Sequence, residues 1–142
     1  MAQTFAPEVA GLGTVPSTNA SGGVQGGRVR RFRATVPFTG QAAADTVVLA
    51  DVPPGYTFAY GVINPTATLG ASATIAIGTA ASAGKYRAAA VQTATGPQLF
   101  GLASAADDSP LTAGERVILT VAVAALPTSA EFAVVDLYFS AP

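Results

Sequence analysis

Along most of this chain, polar and apolar residues alternate as they do in short β-strands. Apolar side chains recur at every second position over short runs, and turn residues separate one run from the next. Strands are predicted at Val29–Phe38, Thr46–Ala50, Tyr56–Ile63, Ala73–Ile77, Leu99–Phe100, Glu115–Ala124 and Phe132–Ser140. These short strands lack the strand–helix rhythm of a parallel sheet, so the pattern predicts an all-β antiparallel sandwich of the jelly-roll type.

Three local patterns carry more specific expectations. Pro54-Gly55 suits the centre of a type II turn, which predicts a hairpin between the strands on either side of it. The next strand carries Tyr56, Phe58 and Tyr60 at alternate positions, so the three rings are expected to share a face, as core residues or as a stacking platform. In the strand Glu115–Ala124, one face is expected to hold Val117, Leu119, Val121 and Val123.

One segment favours a helix over a strand. Lys85–Thr93 contains three consecutive alanines and no helix-breaking residue, and alanine has the highest intrinsic helix propensity. The predicted fold therefore includes at most one short helix.

The first 27 residues follow neither the helical nor the strand period. They are mostly Gly, Ala, Ser, Thr and Pro, a composition that buries too little apolar surface to offset its ordering entropy. Residues 1–27 are predicted to be a flexible arm that becomes ordered against a partner, and residues 28–142 a β-sandwich domain. Candidate anchors in the arm are Phe5, Val9, Leu12 and Val15.

The composition indicates a surface that other subunits cover. Charged residues make up only 11% of the 142 residues, whereas 50% are hydrophobic. Typical globular domains are about one-quarter charged, and free monomers expose only small apolar patches. Val52–Gly84 is free of charge but rich in proline, glycine and hydroxyl residues, so we expect neither a membrane span nor a membrane partner. The first residues also lack the basic and apolar regions of a secretory signal.

Residue types that commonly carry catalysis are missing. The chain has no Cys and no His, which excludes Ser-His-Asp and Cys-His catalysis and the usual zinc sites. Ser82 and Lys85 match a Ser-x-x-Lys pattern by chance, since its companion motifs are absent. Asp107-Asp108, alone or with Glu115, is more typical of a solvated turn than of a carboxylate pair or cation site. No enzymatic activity, cofactor or metal is expected.

A cluster of arginines is the most distinctive charged feature. Arg28, Arg30, Arg31 and Arg33 fall on one predicted strand, two on each face. They could pair with acidic groups of another protein surface, remain solvated, or contact nucleic acid. The isoelectric point near 5.1 argues against a dedicated nucleic-acid partner. We therefore treat the four arginines as candidate contacts to an acidic protein surface.

The order of several segments resembles that of small virion proteins of tailed bacteriophages, especially head decoration or cement proteins. The segments are TVVLADVPPGYTFAYGV, ATIAIGTA, GKYRAAA, LTAGERVILTV and VVDLYFSAP. This resemblance implies a β-sandwich or jelly roll that binds the major capsid protein as a homotrimer on the head surface, after assembly in the host cytoplasm. It also implies an N-terminal arm that becomes ordered on the shell. The resemblance identifies no binding residues, so the candidate capsid-binding residues are those assigned on charge, Arg28, Arg30, Arg31 and Arg33, and three apolar residues of the arm, Phe5, Val9 and Leu12.

Two alternatives stay open at the level of sequence. A tail, baseplate or fibre component would have a similar β-rich composition of small residues. A carbohydrate-binding β-sandwich module is the other, although such sites normally use exposed aromatic residues, and this chain has no Trp and only 8% aromatic residues.

Overall fold

The computed structural model describes residues 26–107 and 109–142, together with Ala10 and Pro16. These residues contain eight β-strands and no α-helix. The strands are β1 (Arg28–Thr39), β2 (Thr46–Val52), β3 (Thr57–Pro65), β4 (Thr74–Gly78), β5 (Arg87–Val91), β6 (Gln98–Phe100), β7 (Glu115–Ala122) and β8 (Thr128–Ala141). Within this part of the chain, no helix could cross a membrane.

The strands form two four-stranded antiparallel sheets. One has the order β1-β8-β3-β6 and is called here the 1-8-3-6 sheet; the other has the order β2-β7-β4-β5 and is called the 2-7-4-5 sheet. Apart from the β4–β5 connection, every connection between consecutive strands crosses from one sheet to the other. This is the connectivity of an eight-stranded jelly roll, so the predicted fold class is confirmed.

The core lies between the two sheets and consists of the inward-facing side chains of both. Its most completely buried members include Val36, Ile63, Ile75, Ile77, Val117, Leu119, Val121, Val135 and Phe139. At one end of the sandwich, an aromatic cluster of Phe32, Tyr56, Phe58, Tyr86 and Phe139 joins the sheets through ring contacts 4.5–6.0 Å between centroids. Such edge-to-face and tilted contacts add to the free energy of burying each ring.

The prediction for strand β7 is confirmed at three positions and wrong at the fourth. Val117, Leu119 and Val121 are buried, but Val123 is 76% exposed and has a φ of 70°. The backbone N–H of Ala124 donates to the carbonyl of Ala122 at 2.9 Å, which closes a tight turn around Val123. The strand therefore ends one residue before the alternation does.

The helix predicted at Lys85–Thr93 is wrong, because Arg87–Val91 is strand β5 at the edge of the 2-7-4-5 sheet. Arg87 explains much of the difference. Its guanidinium donates to the carbonyl of Ile75 and, at 3.0 Å, to the side-chain oxygen of Gln92. The Gln92 amide in turn donates to Gln98 of β6 at 2.7 Å. Tertiary hydrogen bonds that link two sheets outweigh the weak helix preference of three alanines.

The hairpin predicted around Pro54-Gly55 is also wrong, although the turn itself forms. Gly55 has a φ of 86°, as the third position of a type II turn requires. However, β2 pairs with β7 and β3 pairs with β8 and β6, so the turn carries the chain from one sheet to the other. Turn chemistry predicts where the chain reverses, but not which strand each arm pairs with.

The face predicted for Tyr56, Phe58 and Tyr60 is shared by the first two rings, which pack in the core, but not by Tyr60. The register between β3 and β8 shifts between Phe58 and Tyr60, so that Ala59 is an extra residue. A bulge of this kind moves every later side chain to the opposite face. Phe58 is buried in the core, whereas Tyr60 lies on the outer face and stacks on Tyr138, with 4.7 Å between ring centroids.

Candidate interaction surfaces

The four arginines of the predicted basic cluster lie on β1, and its alternation separates them into two pairs. Arg31 and Arg33 project from the outer face of the 1-8-3-6 sheet. Arg28 and Arg30 project from the opposite face, at the start of the strand. All four are exposed, yet their surroundings differ so much that the two pairs have different chemistry.

Arg33 is occupied by an intramolecular ion pair. Its strand partner on β8 is Asp136, and two parallel hydrogen bonds of 2.8 Å join the guanidinium to the two carboxylate oxygens. Arg31 approaches the same carboxylate, with 3.9 Å between Nε and Oδ1. The hydrogen bond from Arg33 holds the pKa of Asp136 below its ordinary value of 3.8, even though partial burial opposes this shift. Half of the predicted basic cluster therefore neutralises one carboxylate of the same chain.

Arg28 and Arg30 have no ion-pair partner among the described residues. Their register partners on β8 are Ala141 and Phe139, neither of which bears an acidic group. Both arginines line a cavity of about 410 Å³ at the end of the sandwich, together with Gly26, Gly27, Tyr56, Ala141 and Pro142. These are the arginines of the cluster that are free to bind another molecule.

The other predicted capsid-binding residues, Phe5, Val9 and Leu12, lie outside the described residues. The predicted boundary between a flexible arm at residues 1–27 and a sandwich at residues 28–142 stays a prediction. Within the described residues, β1 begins at Arg28.

The outer face of the 1-8-3-6 sheet is largely apolar and aromatic. Four of its large hydrophobic side chains are exposed: Val29, Tyr60, Leu99 and Phe132. Beside strand β6 is an open groove of about 750 Å³, lined by Ala59, Tyr60, Leu99, Phe100, Gly101, Leu102, Ala103 and Ala106. A groove with such a lining offers dispersion contacts and few hydrogen bonds, so it suits an apolar protein surface better than a polar ligand.

The outer face of the 2-7-4-5 sheet is also sparsely charged, but its side chains are smaller. Ile118, Thr120 and Ala122 of β7 are half-buried there, and Val48 of β2 is exposed. Its clearest charged feature is a pair between Arg116 and Asp51, in which two hydrogen bonds of 2.7 and 3.0 Å join the guanidinium to the carboxylate. The hydrogen bond from Arg116 lowers the pKa of Asp51 from 3.8. Neither outer face has the dense surface charge typical of a free-standing domain.

A cleft of about 550 Å³ lies where the β4–β5 and β6–β7 loops meet. Glu115 lines it and accepts hydrogen bonds from the Tyr86 hydroxyl and, at 2.5 Å, from Lys85 Nζ. Burial and the adjacent carboxylate raise the pKa of Tyr86 above its ordinary value of 10.0. The amine of Lys85 is therefore paired with the Glu115 carboxylate.

Asp107 lines the same cleft, and its carboxylate accepts a hydrogen bond from the backbone N–H of Ser109 at 3.0 Å. This is a local turn bond, as expected for an aspartate in a solvated loop. Among the residues that the structure describes, no group of three acidic side chains is placed to hold a metal ion.

Two features of this surface were not predicted from the sequence. The Arg33–Asp136 pair joins residues 103 positions apart, and it depends on the β1–β8 register. The cavity beside Arg28 depends on the end of β8 and the start of β3 lying together at one end of the sandwich. A strand register is set by the assembled fold, so neither feature has a local signal in the sequence.

This chain is similar to known proteins in its structure and not in its sequence. No protein-family model matches this sequence. No curated protein matches it either.

Chains in several solved phage capsids share the fold. A chain of the Cyanophage Pam1 capsid asymmetric unit matches with a TM-score of 0.64 and 19% identity, over 82% of this chain and 86% of that chain. A chain of the capsid of Ralstonia phage GP4 matches with a TM-score of 0.64 and 17% identity, over 82% and 84%. A chain of the acid-stable capsid of Helicobacter pylori bacteriophage KHP30 matches with a TM-score of 0.61 and 12% identity, over 80% and 88%. This jelly roll is therefore similar along most of its length to chains found in phage capsids.

Proposed function

We propose that this protein is a non-catalytic structural protein of a bacteriophage virion that decorates the capsid and binds across adjacent capsomers of the major capsid protein. The observation that carries the proposal is the jelly-roll fold that it shares with chains in three phage capsids, over at least four-fifths of each partner. A shared fold supports a role only when the surface agrees with it, so the surface is the second line of support.

The outer faces of both sheets suit a protein that is covered in an assembly. They carry several exposed apolar side chains and few charges, and the clearest charges on each face form an intramolecular pair. Interfaces are depleted of unpaired charge at their centres and enriched in aromatic residues, of which Tyr60 and Phe132 are exposed examples. A structural role in an assembly accounts for these features without a ligand.

In this proposal the protein is a homotrimer on the outer surface of the head, added after shell assembly in the host cytoplasm. Arg28 and Arg30 contribute capsid contacts, and Phe5, Val9 and Leu12 add contacts from the N-terminal segment. Many copies, each attached at several weak sites, hold capsomers together more strongly than any single contact could.

Cryo-electron microscopy of virions from the phage that encodes this chain tests the proposal. We expect density for this jelly roll on the head, in contact with at least two capsomers. Mass measurement of the purified protein should give three times the 14.0 kDa chain mass. Absence from the particle would refute a virion role, and a monomer at high concentration would refute the trimer.

The same experiment separates the proposal from a tail, baseplate or fibre component. Density confined to the tail would overturn the capsid assignment while preserving a structural role in the virion. Binding of purified protein to undecorated heads gives an independent measurement. This binding should weaken as salt rises, because exposed ion pairs are screened over about 8 Å at physiological ionic strength.

A further inference from the structure

Among the residues that the structure describes, two cationic side chains and no acidic side chain line the cavity at the start of β1. Its walls are Gly26, Gly27, Arg28, Arg30, Tyr56, Ala141 and Pro142, and its volume is about 410 Å³. Arg28 and Arg30 are two residues apart on one strand, so both guanidinium groups are on the same side of the chain. Two like charges placed together favour an anion between them.

The register of β1 with β8 explains why no described residue neutralises this pair. Where Arg33 faces Asp136 across the strands, Arg28 faces Ala141 and Arg30 faces Phe139. The other described ion pairs use Asp51, Asp136 and Glu115, each of which already has a basic partner. Any ion pair that Arg28 and Arg30 form with those three carboxylates would therefore have to break an existing one.

We propose that this cavity is a carboxylate-binding site, occupied by an aspartate or glutamate side chain of a partner protein. Guanidinium groups bind carboxylates through paired, charge-assisted hydrogen bonds, as Arg33 and Arg116 do within this chain. Gly26 lines the cavity, and a Cβ added at this residue would meet nothing within 4 Å. The volume is near the lower end for small-ligand sites, which suits one acidic side chain.

The charge distribution favours an acidic protein segment over nucleic acid. Binding to a nucleic-acid backbone usually requires a row or patch of cations that spans several phosphates. Here the free cations of the cavity are two, and the chain as a whole has a net charge of −1. The partner's identity as a capsid protein rests on the proposed function, but the carboxylate site itself does not.

Binding of a fluorescently labelled oligoglutamate peptide to the full chain tests the site. The matched variants are Arg28→Ala with Arg30→Ala, which empties the cavity of cations, and Arg31→Ala, which removes an exposed arginine of the same strand from the opposite face. We expect wild type and R31A to bind equally and the double variant to bind about tenfold more weakly or worse, as the loss of charge-assisted hydrogen bonds predicts.

Two further measurements on the same samples can overturn the proposal. Equal peptide binding by the double variant and wild type would refute it. So would preferential binding of labelled duplex DNA or of inorganic phosphate through the same two arginines. In the wild-type protein, peptide addition should shift the side-chain Nε–Hε resonances of Arg28 and Arg30 and leave that of Arg116 unchanged, which makes the test independent of how the variants fold.

Failure of this inference and failure of the proposed function have different signatures. If the double variant binds the peptide and decorates phage heads as well as wild type does, the carboxylate site is wrong and the capsid role stands. If the peptide binds through Arg28 and Arg30 but virions lack the protein, the site stands and the capsid role is wrong.

Discussion

The two sheets contain the same ion pair in different surroundings. In the 1-8-3-6 sheet, Arg33 pairs with Asp136, whose side chain is only 10% exposed. In the 2-7-4-5 sheet, Arg116 pairs with Asp51, whose side chain is 64% exposed. Both pairs join register partners on adjacent strands, and both use two hydrogen bonds of 2.7–3.0 Å.

Burial of the carboxylate, more than the geometry of the pair, determines how much such a pair contributes to the free energy of unfolding. Asp51 keeps most of its hydration, so its pair exchanges bonds to water for bonds to Arg116 with little net gain. Asp136 has lost most of its hydration, so without Arg33 it would lack compensation for that loss. Each sheet also contains a glycine in close contact with another residue. For Gly78 the nearest atom belongs to the backbone, and for Gly61 it belongs to a side chain.

The largest expected difference concerns these glycines. In Gly78→Ala of the 2-7-4-5 sheet, the new Cβ would lie 2.1 Å from the backbone oxygen of Ser82. That carbonyl accepts hydrogen bonds from the backbone N–H groups of Thr79 and Lys85, so the β4–β5 loop would have to rearrange. We expect a loss of about 3 kcal/mol in the free energy of unfolding, measured by urea denaturation, at the upper end of overpacking effects.

The control is Gly61→Ala of the 1-8-3-6 sheet, where the new Cβ would lie 2.2 Å from the Phe100 ring. Phe100 is on the three-residue edge strand β6, so its ring can swing outward. We expect a smaller loss of about 1 kcal/mol. Equal losses for the two variants would show that the β4–β5 loop is as free to move as a single edge ring.

The second prediction removes the arginine from each pair. Arg33→Ala leaves the largely buried Asp136 with only the more distant Arg31, and we expect a loss of about 1–2 kcal/mol through the unsatisfied carboxylate. Arg116→Ala leaves an exposed Asp51, and we expect no measurable change in the denaturation midpoint. A larger effect for Arg116→Ala would reverse the conclusion about burial.

The third prediction is how the difference in stability between wild type and Arg33→Ala depends on pH. The pKa of Asp136 is lowered by Arg33, so the pair stabilises the fold above the ordinary pKa of 3.8, and this contribution is lost as pH falls through the lowered folded-state value. The stability gap between wild type and Arg33→Ala should therefore be full at pH 7 and shrink below pH 4. Thermal denaturation across this range measures it, and a gap that widens in acid would contradict the assignment.

The smallest effect on stability is expected at the exposed apolar positions of the two outer faces. The two faces can be compared there by how much each contributes to trimer or head binding. Leu99→Ser on β6 and Val48→Ser on β2 each replace an exposed side chain, so each should change the free energy of unfolding by less than about 0.5 kcal/mol. The 1-8-3-6 face has more exposed apolar side chains and the apolar groove. We therefore expect Leu99→Ser to weaken trimer or head binding more than Val48→Ser does.

Strand positions and the fold class could be predicted from the sequence because they depend on local alternation. Val117, Leu119 and Val121 alternate with other residues along the chain, and a strand with one buried face buries all three together. Val123 continues that alternation but is exposed, because a backbone turn reverses the chain at this residue. Similarly, three alanines favour a helix in isolation, but antiparallel pairing with β4, supported by the hydrogen bonds of Arg87 to Ile75 and Gln92, makes the segment a strand.

For the candidate site, too, one part could be predicted from the sequence and another part depends on the tertiary structure. From the sequence alone it could be determined that four arginines occupy one strand, two on each face, since side chains alternate along any strand. Only the tertiary structure decided which of them are occupied, because Arg33 meets Asp136 through the β1–β8 register, whereas Arg28 and Arg30 meet Ala141 and Phe139. A register is chosen by the burial of a whole strand face, so no short segment of sequence encodes it.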